Sequence, residues 1–169
     1  IMAAGMGSRF RSLKQLALLG PHKKTLLHYS IYDAVHAGFD KIVFIIRRSF
    51  ENEFKEAVGK YAESLVETVY CFQEMDQLPG NLPPIQREKP WGTAHAIWAA
   101  KEHIHEPFIA INADDFYGRD AFVKMHDFVA SNTDERCFSL AGYRLAATLS
   151  ENGTVSRGSR RPSGLRKTT

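Results

Sequence analysis

The residues with the clearest chemical potential lie near the start of the chain, in the stretch Gly5-Met6-Gly7-Ser8-Arg9. Its two glycines let backbone N–H groups approach an anion with no side chain in the way. The Ser8 hydroxyl can add a hydrogen bond, and Arg9 and Lys14 can pair with the β- and γ-phosphates of a nucleoside triphosphate. The stretch predicts a phosphate-binding loop, although a tight turn followed by two solvated cations would have the same sequence.

This loop differs from two widespread phosphate-binding motifs. It is not a P-loop, because no Gly-Lys-Ser/Thr follows the glycines. It is not the dinucleotide-binding fingerprint either, because Phe10 stands where that motif requires its third glycine.

Two later stretches carry further candidate ligand groups. Residues 90–96 read Pro-Trp-Gly-Thr-Ala-His-Ala, in which Gly92 would let the backbone approach a flat base closely. The alternative is a plain helix start with Thr93 as its N-cap. Asp114 follows an apolar run, and its carboxylate offers the hard oxygen that Mg²⁺ prefers. The alternative for the Asp114-Asp115 pair is a helix cap.

The elements that must position these residues alternate along the chain. Apolar, β-branched runs predict strands at 1–4, 41–47, 66–72, 108–112 and 137–145. Helical periodicity and capping signals predict helices at 25–37, 50–64 (mostly exposed), 93–103 and 119–131, and the four prolines of 76–91 predict an extended loop. The alternation indicates an α/β fold with a doubly wound, mostly parallel sheet. Ligands bind outside the carboxyl ends of such strands, where residues 5–15, 73–95 and 114–118 all lie.

The first loop resembles the signature of the nucleotidyltransferase family that makes nucleotide sugars. The family pattern is a hydrophobic residue, then Ala-Ala-Gly-x-Gly-Ser/Thr-Arg, then a lysine, and Met2 to Arg9 with Lys14 match it; Leu13 stands where a proline commonly precedes the lysine. The resemblance implies a Rossmann-like fold with three layers, α/β/α. It also implies catalytic roles for Arg9 and Lys14 and nucleotide contacts from Ala3, Ala4, Gly5, Gly7 and Ser8.

The resemblance extends to the later stretches. It implies that Gly92 and Thr93 lie against the base and ribose, and that Gln73 reads a pyrimidine edge. The insertion 76–91 separates Gln73 from Gly92 by far more residues than in compact members, so a plain surface glutamine stays an alternative. Asp114 matches the family aspartate, which implies a catalytic, Mg²⁺-binding role; Ala113, Asp115 and Gly118 match its neighbours.

The implied activity is in-line attack of an acceptor phosphate, typically of a sugar 1-phosphate, on the α-phosphorus of an NTP, with release of pyrophosphate. His95 is interpreted as a helix-face histidine, since an ionised phosphate needs no general base. Two alternatives stay open: a cytidylyltransferase of a small alcohol phosphate, and a catalytically inactive nucleotide-binding module.

The bulk properties fit one globular domain at residues 1–156. That part holds 17 basic and 19 acidic residues, so it carries no basic nucleic-acid footprint, whereas 157–169 holds five basic and no acidic residues and is expected to be a disordered tail. Family members generally continue further, so the domain is expected to be truncated at its carboxyl end and to lack a few residues before Ile1. Such a chain should turn over poorly, and the apolar surface left uncovered would favour a homo-oligomer.

The cellular setting is expected to be the cytoplasm. No apolar run approaches the roughly 20 residues of a membrane helix, and no signal peptide is recognised. Cys71 and Cys137 lie far apart in apolar stretches, which predicts two buried thiols rather than a disulfide or a metal site. Neither a membrane nor a nucleic acid is expected as a partner.

Overall fold

The computed structural model describes residues 1–7, 24–80, 91–132, 134 and 136–148. The chain forms two compact units, Ile1–Ser139 and Leu140–Thr169. Within the described residues, the second unit contains a 3₁₀ turn at Leu145–Thr148. The predicted tail at 157–169 lies outside the described residues, and the boundary predicted at residue 156 stays a prediction.

The first unit alternates helices and strands. Its α-helices are α1 (Leu26–Ala37), α2 (Glu51–Phe54), α3 (Lys60–Glu63), α4 (Thr93–Ala99) and α5 (Arg119–Ser131), and its strands are β1 (Lys41–Ile46) and β2 (Glu67–Phe72). A π-helical turn, Lys55–Gly59, joins α2 to α3, and 3₁₀ turns cover Ala4–Gly7 and Arg48–Phe50. None of the helices in this described part is long and apolar enough to cross a membrane.

Helix α1 begins and ends where the sequence predicts. The Thr25 hydroxyl accepts from the backbone N–H of His28 at 3.4 Å, and the Thr25 backbone N–H donates to His28 Nδ1 at 3.3 Å. The two bonds form a capping box. At the other end Gly38 adopts a left-handed conformation with φ 110°, and its N–H donates to Ala34 and Val35. The predicted helix at 25–37 is therefore confirmed.

The sheet is small and parallel. Strands β1 and β2 pair in register from Lys41 opposite Glu67 to Ile46 opposite Phe72. Met2 forms single parallel bridges to Ile45 on one side and Asn112 on the other. The order across the sheet is thus β2, β1, the segment around Met2, and the segment ending at Asn112. This confirms a mixed α/β chain with parallel strands; the complete doubly wound, three-layer arrangement stays a prediction.

Helices pack on both faces of β1, because alternate residues of a strand point to opposite sides. One face forms the main core with α1, α2, the π turn and α3, through Leu27, Ile31, Ile42, Phe44, Ile46, Phe54, Val58 and Ala62. The other face packs against α4 through Val43, Ile45, Cys71, Ala96 and Ala100. Continuous apolar strands are expected when both faces are covered.

The helical region around residues 50–64 is less exposed than predicted. Phe54, Val58 and Ala62 are each 0% exposed and repeat every fourth residue, so one face of this region belongs to the core. The π turn brings Gly59 against strand β2, where a Cβ at residue 59 would lie 2.3 Å from Tyr70 Oη and 3.3 Å from Lys55 Cγ.

We expect Gly59→Ala to destabilise the protein by about 1–3 kcal/mol, since it forces a methyl group against a packed tyrosine. Elsewhere in a helix the same change stabilises by roughly 0.5–1 kcal/mol. The matched test is Gly59→Ala in a Tyr70→Phe background, which removes the closest atom. Urea unfolding should show a smaller penalty in that background; equal penalties would mean that Tyr70 does not require the glycine.

Three predicted elements differ from the structure. The predicted helix 93–103 ends at Ala99 and continues as hydrogen-bonded turns, with His103 N–H donating to Ala100 at 2.9 Å. The predicted buried strand 108–112 forms only the bridge at Asn112, and Phe108 is 48% exposed. The predicted strand 137–145 forms no ladder with any described residue, and Phe138 is 92% exposed. A strand requires a neighbouring backbone, which an apolar pattern does not supply.

The two cysteines have different environments. Cys71 is buried in strand β2, as predicted, and burial raises the pKa of its thiol. Cys137 is exposed, so the prediction of a second buried thiol is wrong, because the strand expected to bury it does not form.

Candidate functional site

The candidate ligand groups follow neighbouring parallel strands at one edge of the sheet. Ala3 N–H donates to Ile45 at 2.8 Å, Gln73 N–H donates to Ile46 at 2.9 Å, and Ala113 N–H donates to Met2 at 3.2 Å. All three residues leave the sheet at its carboxyl end. With about 4.8 Å between strands, the four segments place these groups within roughly 14 Å of one another along this edge.

The first part of the glycine loop begins at this edge. Ala3 and Ala4 are buried, at 1% and 2% exposure, and the backbone then turns through a 3₁₀ helix at Ala4–Gly7. A Cβ placed on Gly5 would meet no atom of the described residues within 4 Å. Ser8, Arg9 and Lys14 lie outside the described residues, and their predicted roles stay predictions.

Gln73 and Gly92 meet despite the insertion between them. The Gln73 side chain is 7% exposed, and its Nε2 donates to the Trp91 carbonyl at 3.1 Å and to the Gly92 carbonyl at 3.4 Å. The alternative of a plain surface glutamine is therefore wrong. The ends of the insertion come together, since Trp91 Nε1 also donates to the Met75 carbonyl at 3.0 Å.

His95 takes part in the same network, which the sequence reasoning missed. It lies on α4, as predicted, with Nδ1 3.1 Å from Gln73 Nε2 and Nε2 2.5 Å from the Gln77 carbonyl. Its ring also lies near the rings of Trp91 and Trp98, with centroids 5.9 Å and 5.4 Å away. The polar and aromatic residues on both sides of the insertion are the sequence feature that could have indicated this network.

Helix α4 begins one residue earlier than a threonine cap would require. Gly92 is the N-cap, with φ −72° and ψ −173°, and Thr93 is the first helical residue. The alternative of Thr93 as N-cap is therefore wrong. Gly92 and Thr93 are both exposed, so their surfaces are open to a ligand next to Gln73.

The two adjacent aspartates have separate surroundings. Asp115 Oδ2 accepts from Asn112 Nδ2 at 2.8 Å, and Tyr117 Oη accepts from the Asn112 backbone N–H at 2.9 Å, so Asp115 and Tyr117 brace the turn after the strand. Asp114 is exposed and makes no hydrogen bond or ion pair with any described residue. Neither caps α5, whose N-cap is Gly118 without a side-chain hydrogen bond, so the helix-cap alternative is wrong.

Asp114 fits a Mg²⁺ ion that takes its other ligands from water and phosphate. Among the described residues no group of three or more His, Cys, Asp or Glu side chains could hold a metal ion. Mg²⁺ usually retains several waters and binds one or two carboxylates together with substrate phosphates, so a single exposed carboxylate is a suitable donor.

A cavity of about 260 Å³ lies elsewhere, at the amino ends of the strands. Its lining includes Lys41 and Glu67, the first residues of β1 and β2, together with Phe108 and Ile1. It is therefore separate from the carboxyl edge, where the candidate ligand groups lie.

The sequence is similar to a known protein family and to several known proteins. The sequence model described as "Nucleotidyl transferase" matches residues 1–162. Over 106 residues the chain is 31% identical to the bifunctional protein GlmU of Staphylococcus haemolyticus, an alignment covering 63% of this chain and 19% of that protein. It is 28% identical over 129 residues to the UTP–glucose-1-phosphate uridylyltransferase of Bacillus subtilis, covering 68% of this chain and 43% of that enzyme. The chain thus spans about a fifth of the first relative and less than half of the second.

Proposed function

Because the chain belongs to the nucleotidyl transferase family, we propose that it contributes to transfer of a nucleotidyl group from an NTP to a sugar 1-phosphate, with release of pyrophosphate. The observation that carries the proposal is the meeting of the glycine loop, the Gln73–Gly92 contact and the exposed Asp114 at one edge of the sheet. The UTP–glucose-1-phosphate uridylyltransferase relative supports an NTP and a sugar phosphate as the substrate classes.

The proposed architecture is a doubly wound, three-layer Rossmann-like domain. The family implies a Rossmann-like nucleotidyltransferase fold. Helices α1 and α4 pack on opposite faces of β1, and the strand order changes direction between the segments around Met2 and Asn112. Doubly wound sheets bind ligands at such a switch point, which here lies between the glycine loop and Asp114.

Each candidate residue has a proposed task. Gly92, Thr93 and Gln73 would seat the base and ribose, because the first two are exposed next to the third. Ala4, Gly5, Gly7 and Ser8 would present backbone and hydroxyl donors to the phosphates, and Ala3, whose N–H donates to Ile45, would contact the nucleotide through its other atoms. Arg9 and Lys14 would offset the charge that develops on the leaving pyrophosphate.

Asp114 would hold a Mg²⁺ ion, which when bound offsets phosphate charge. Asp114 is exposed and follows Ala113, which pairs with Met2 at the start of the glycine loop, and this supports a place near the phosphates of an NTP. The protein's part in this reaction is mainly to orient the acceptor phosphate in line with the α-phosphorus. No general base is required, because the acceptor phosphate is already ionised.

The setting is also proposed rather than established. Cys71 and Cys137 are both free thiols, which supports a reducing cytoplasm. We further propose small-molecule substrates rather than a nucleic acid or membrane, and self-association through apolar surface of the first unit such as the exposed Phe116 and Phe138.

Thermal-shift measurements with each NTP and Mg²⁺, followed by a pyrophosphate-release assay with a panel of sugar 1-phosphates, test the function. We expect one NTP to raise Tm and to support turnover when the chain is extended to the length of its relatives. Nucleotide binding without turnover even in the extended protein would favour an inactive module, and turnover with CTP and an alcohol phosphate would favour a cytidylyltransferase. Absence of both binding and turnover would contradict the proposal.

We expect Arg9→Ala and Lys14→Ala to weaken triphosphate binding about ten- to a hundredfold and monophosphate binding far less. Each charge-assisted contact to a β- or γ-phosphate contributes roughly 1.5–3 kcal/mol. Isothermal titration with NTP and NMP measures the difference. Lys60→Ala is the control, since Lys60 pairs with Glu56 on an exposed helix surface. Equal losses for the two nucleotides would contradict the assignment.

A further inference from the structure

The imidazole of His95 has both ring nitrogens engaged, which determines its tautomer. Nε2 lies 2.5 Å from the Gln77 carbonyl oxygen. A carbonyl can only accept, so Nε2 must carry the hydrogen, and in the neutral ring Nδ1 is then an acceptor. The Gln73 Nε2 atom lies 3.1 Å from Nδ1 and donates to it.

The Gln73 carboxamide therefore has one orientation. Its NH₂ group has two hydrogens and faces three acceptors, His95 Nδ1 and the Trp91 and Gly92 carbonyls at 3.1 Å and 3.4 Å, so the two carbonyls share one hydrogen. Flipping the amide would place its oxygen against two carbonyl oxygens and a ring lone pair, which is unfavourable. Among the described residues none donates to Gln73 Oε1, so this oxygen is left as an acceptor on a side chain that is otherwise buried.

We propose that His95 is a positioning residue for nucleobase selection, acting through Gln73. The Gln77 carbonyl sets the His95 tautomer, His95 helps to hold the Gln73 amide, and Gln73 Oε1 then accepts from a ring N–H of the base. This inference rests on the proposed function, since it assumes that the base lies beside Gly92 and Gln73.

The acceptor character of Oε1 distinguishes between bases. Uracil carries a hydrogen on ring N3, whereas cytosine has a lone pair there, which would face the Gln73 oxygen and leave both groups without a partner. A buried polar group left unpaired reduces affinity by roughly ten- to a hundredfold. Binding should therefore favour UTP over CTP by about that factor.

Trp91 and Trp98 support the positioning role of His95. Both rings lie near the imidazole, with centroids 5.9 Å and 5.4 Å away, so turning it away from Gln73 would change two aromatic contacts. Trp91 is itself held by its indole N–H on the Met75 carbonyl. Removing the imidazole would take away one of the three acceptors that hold the Gln73 amide, so the amide would be held less firmly by the Trp91 and Gly92 carbonyls alone.

The test measures base discrimination and tautomer separately. Isothermal titration gives Kd for UTP and CTP with Mg²⁺ in the wild type, His95→Leu and His95→Asn, and tripolyphosphate reports on phosphate binding alone. We expect His95→Leu to lower the CTP-to-UTP ratio of Kd values about two- to tenfold, the effect of losing one hydrogen bond, with tripolyphosphate binding unchanged. His95→Asn keeps an acceptor near the Nδ1 position and should restore much of the ratio. His105→Leu, an exposed change of the same type, should leave it unchanged.

A ¹⁵N-correlated spectrum of the wild-type imidazoles is the second measurement and needs no variant. We expect the Nε2–H form of His95, and the Nδ1–H form would overturn the inference. Two binding results would also overturn it: a wild-type protein that binds UTP and CTP equally, and a CTP-to-UTP ratio that His95→Leu does not change. If neither NTP binds, the proposed nucleotide site is wrong, and nucleobase selection fails with it. If both bind without discrimination, only the role of His95 fails.

Discussion

Replacing Asp114 by asparagine will weaken binding of the Mg²⁺-NTP complex about ten- to a hundredfold and leave NTP binding in EDTA nearly unchanged. The substitution keeps the size of the side chain and removes only the negative charge that a hard cation requires. A charged contact of this kind contributes roughly 1.5–3 kcal/mol, which sets the expected factor. Isothermal titration with and without Mg²⁺ measures the two affinities on the same preparation.

The adjacent aspartate is a close control. Asp115→Asn should lower Tm, because Asp115 accepts from Asn112 at 2.8 Å in the brace after the strand, but it should retain the effect of Mg²⁺ on NTP affinity. If Asp115→Asn abolishes the Mg²⁺ effect and Asp114→Asn does not, the two roles have been exchanged. If neither changes it, the metal is held by other residues.

Gly38→Ala will reduce the free energy of unfolding by about 2–5 kcal/mol. Gly38 has φ 110°, and a left-handed conformation costs a residue with a Cβ roughly 1–2 kcal/mol. A Cβ there would also lie 2.7 Å from His126 Nε2 on α5, and overpacking of this kind costs about 1–3 kcal/mol. Urea unfolding at neutral pH measures the sum.

The two causes can be separated with His126→Ala. In that background the contact is gone and only the backbone strain remains, so Gly38→Ala should cost about 1–2 kcal/mol. His126 also packs edge-on against Phe39, with centroids 5.2 Å apart, so His126→Ala alone gives the reference value. An unchanged cost in the double variant would assign the whole effect to the backbone.

Elements with local signals were predictable from the sequence. Helix α1 has its own start and stop in Thr25 and Gly38, and its boundaries agree with the prediction. Helix α5, Arg119–Ser131, also coincides with its predicted range. Strand β1 has an uninterrupted apolar run that is typical of burial on both faces. In each case the information lies within about a dozen consecutive residues.

Elements that depend on distant partners were not predictable in the same way. Phe138 and Leu140 belong to a run with strand-like composition, yet they are 92% and 74% exposed and pair with no described strand. At the site, the three stretches and their common sheet edge followed from the sequence. The different surroundings of Asp114 and Asp115, and the contact between Gln73 and His95, could not be predicted from the sequence. Both depend on hydrogen bonds that sequence spacing does not reveal.

Hydrogen bonds join residues 73–77 to residues 91–95. They hold Gln73 next to residues 91–95 whatever the length of the chain between them. Gln73, Trp91 and His95 tie the two ends together, so the intervening sequence closes a loop on fixed anchors. Doubling the length of such a loop costs only about 0.6 kcal/mol of closure entropy. We therefore expect a reporter peptide inserted between Gly80 and Trp91 to leave the hydrogen bonds of Gln73, Trp91 and His95 in place.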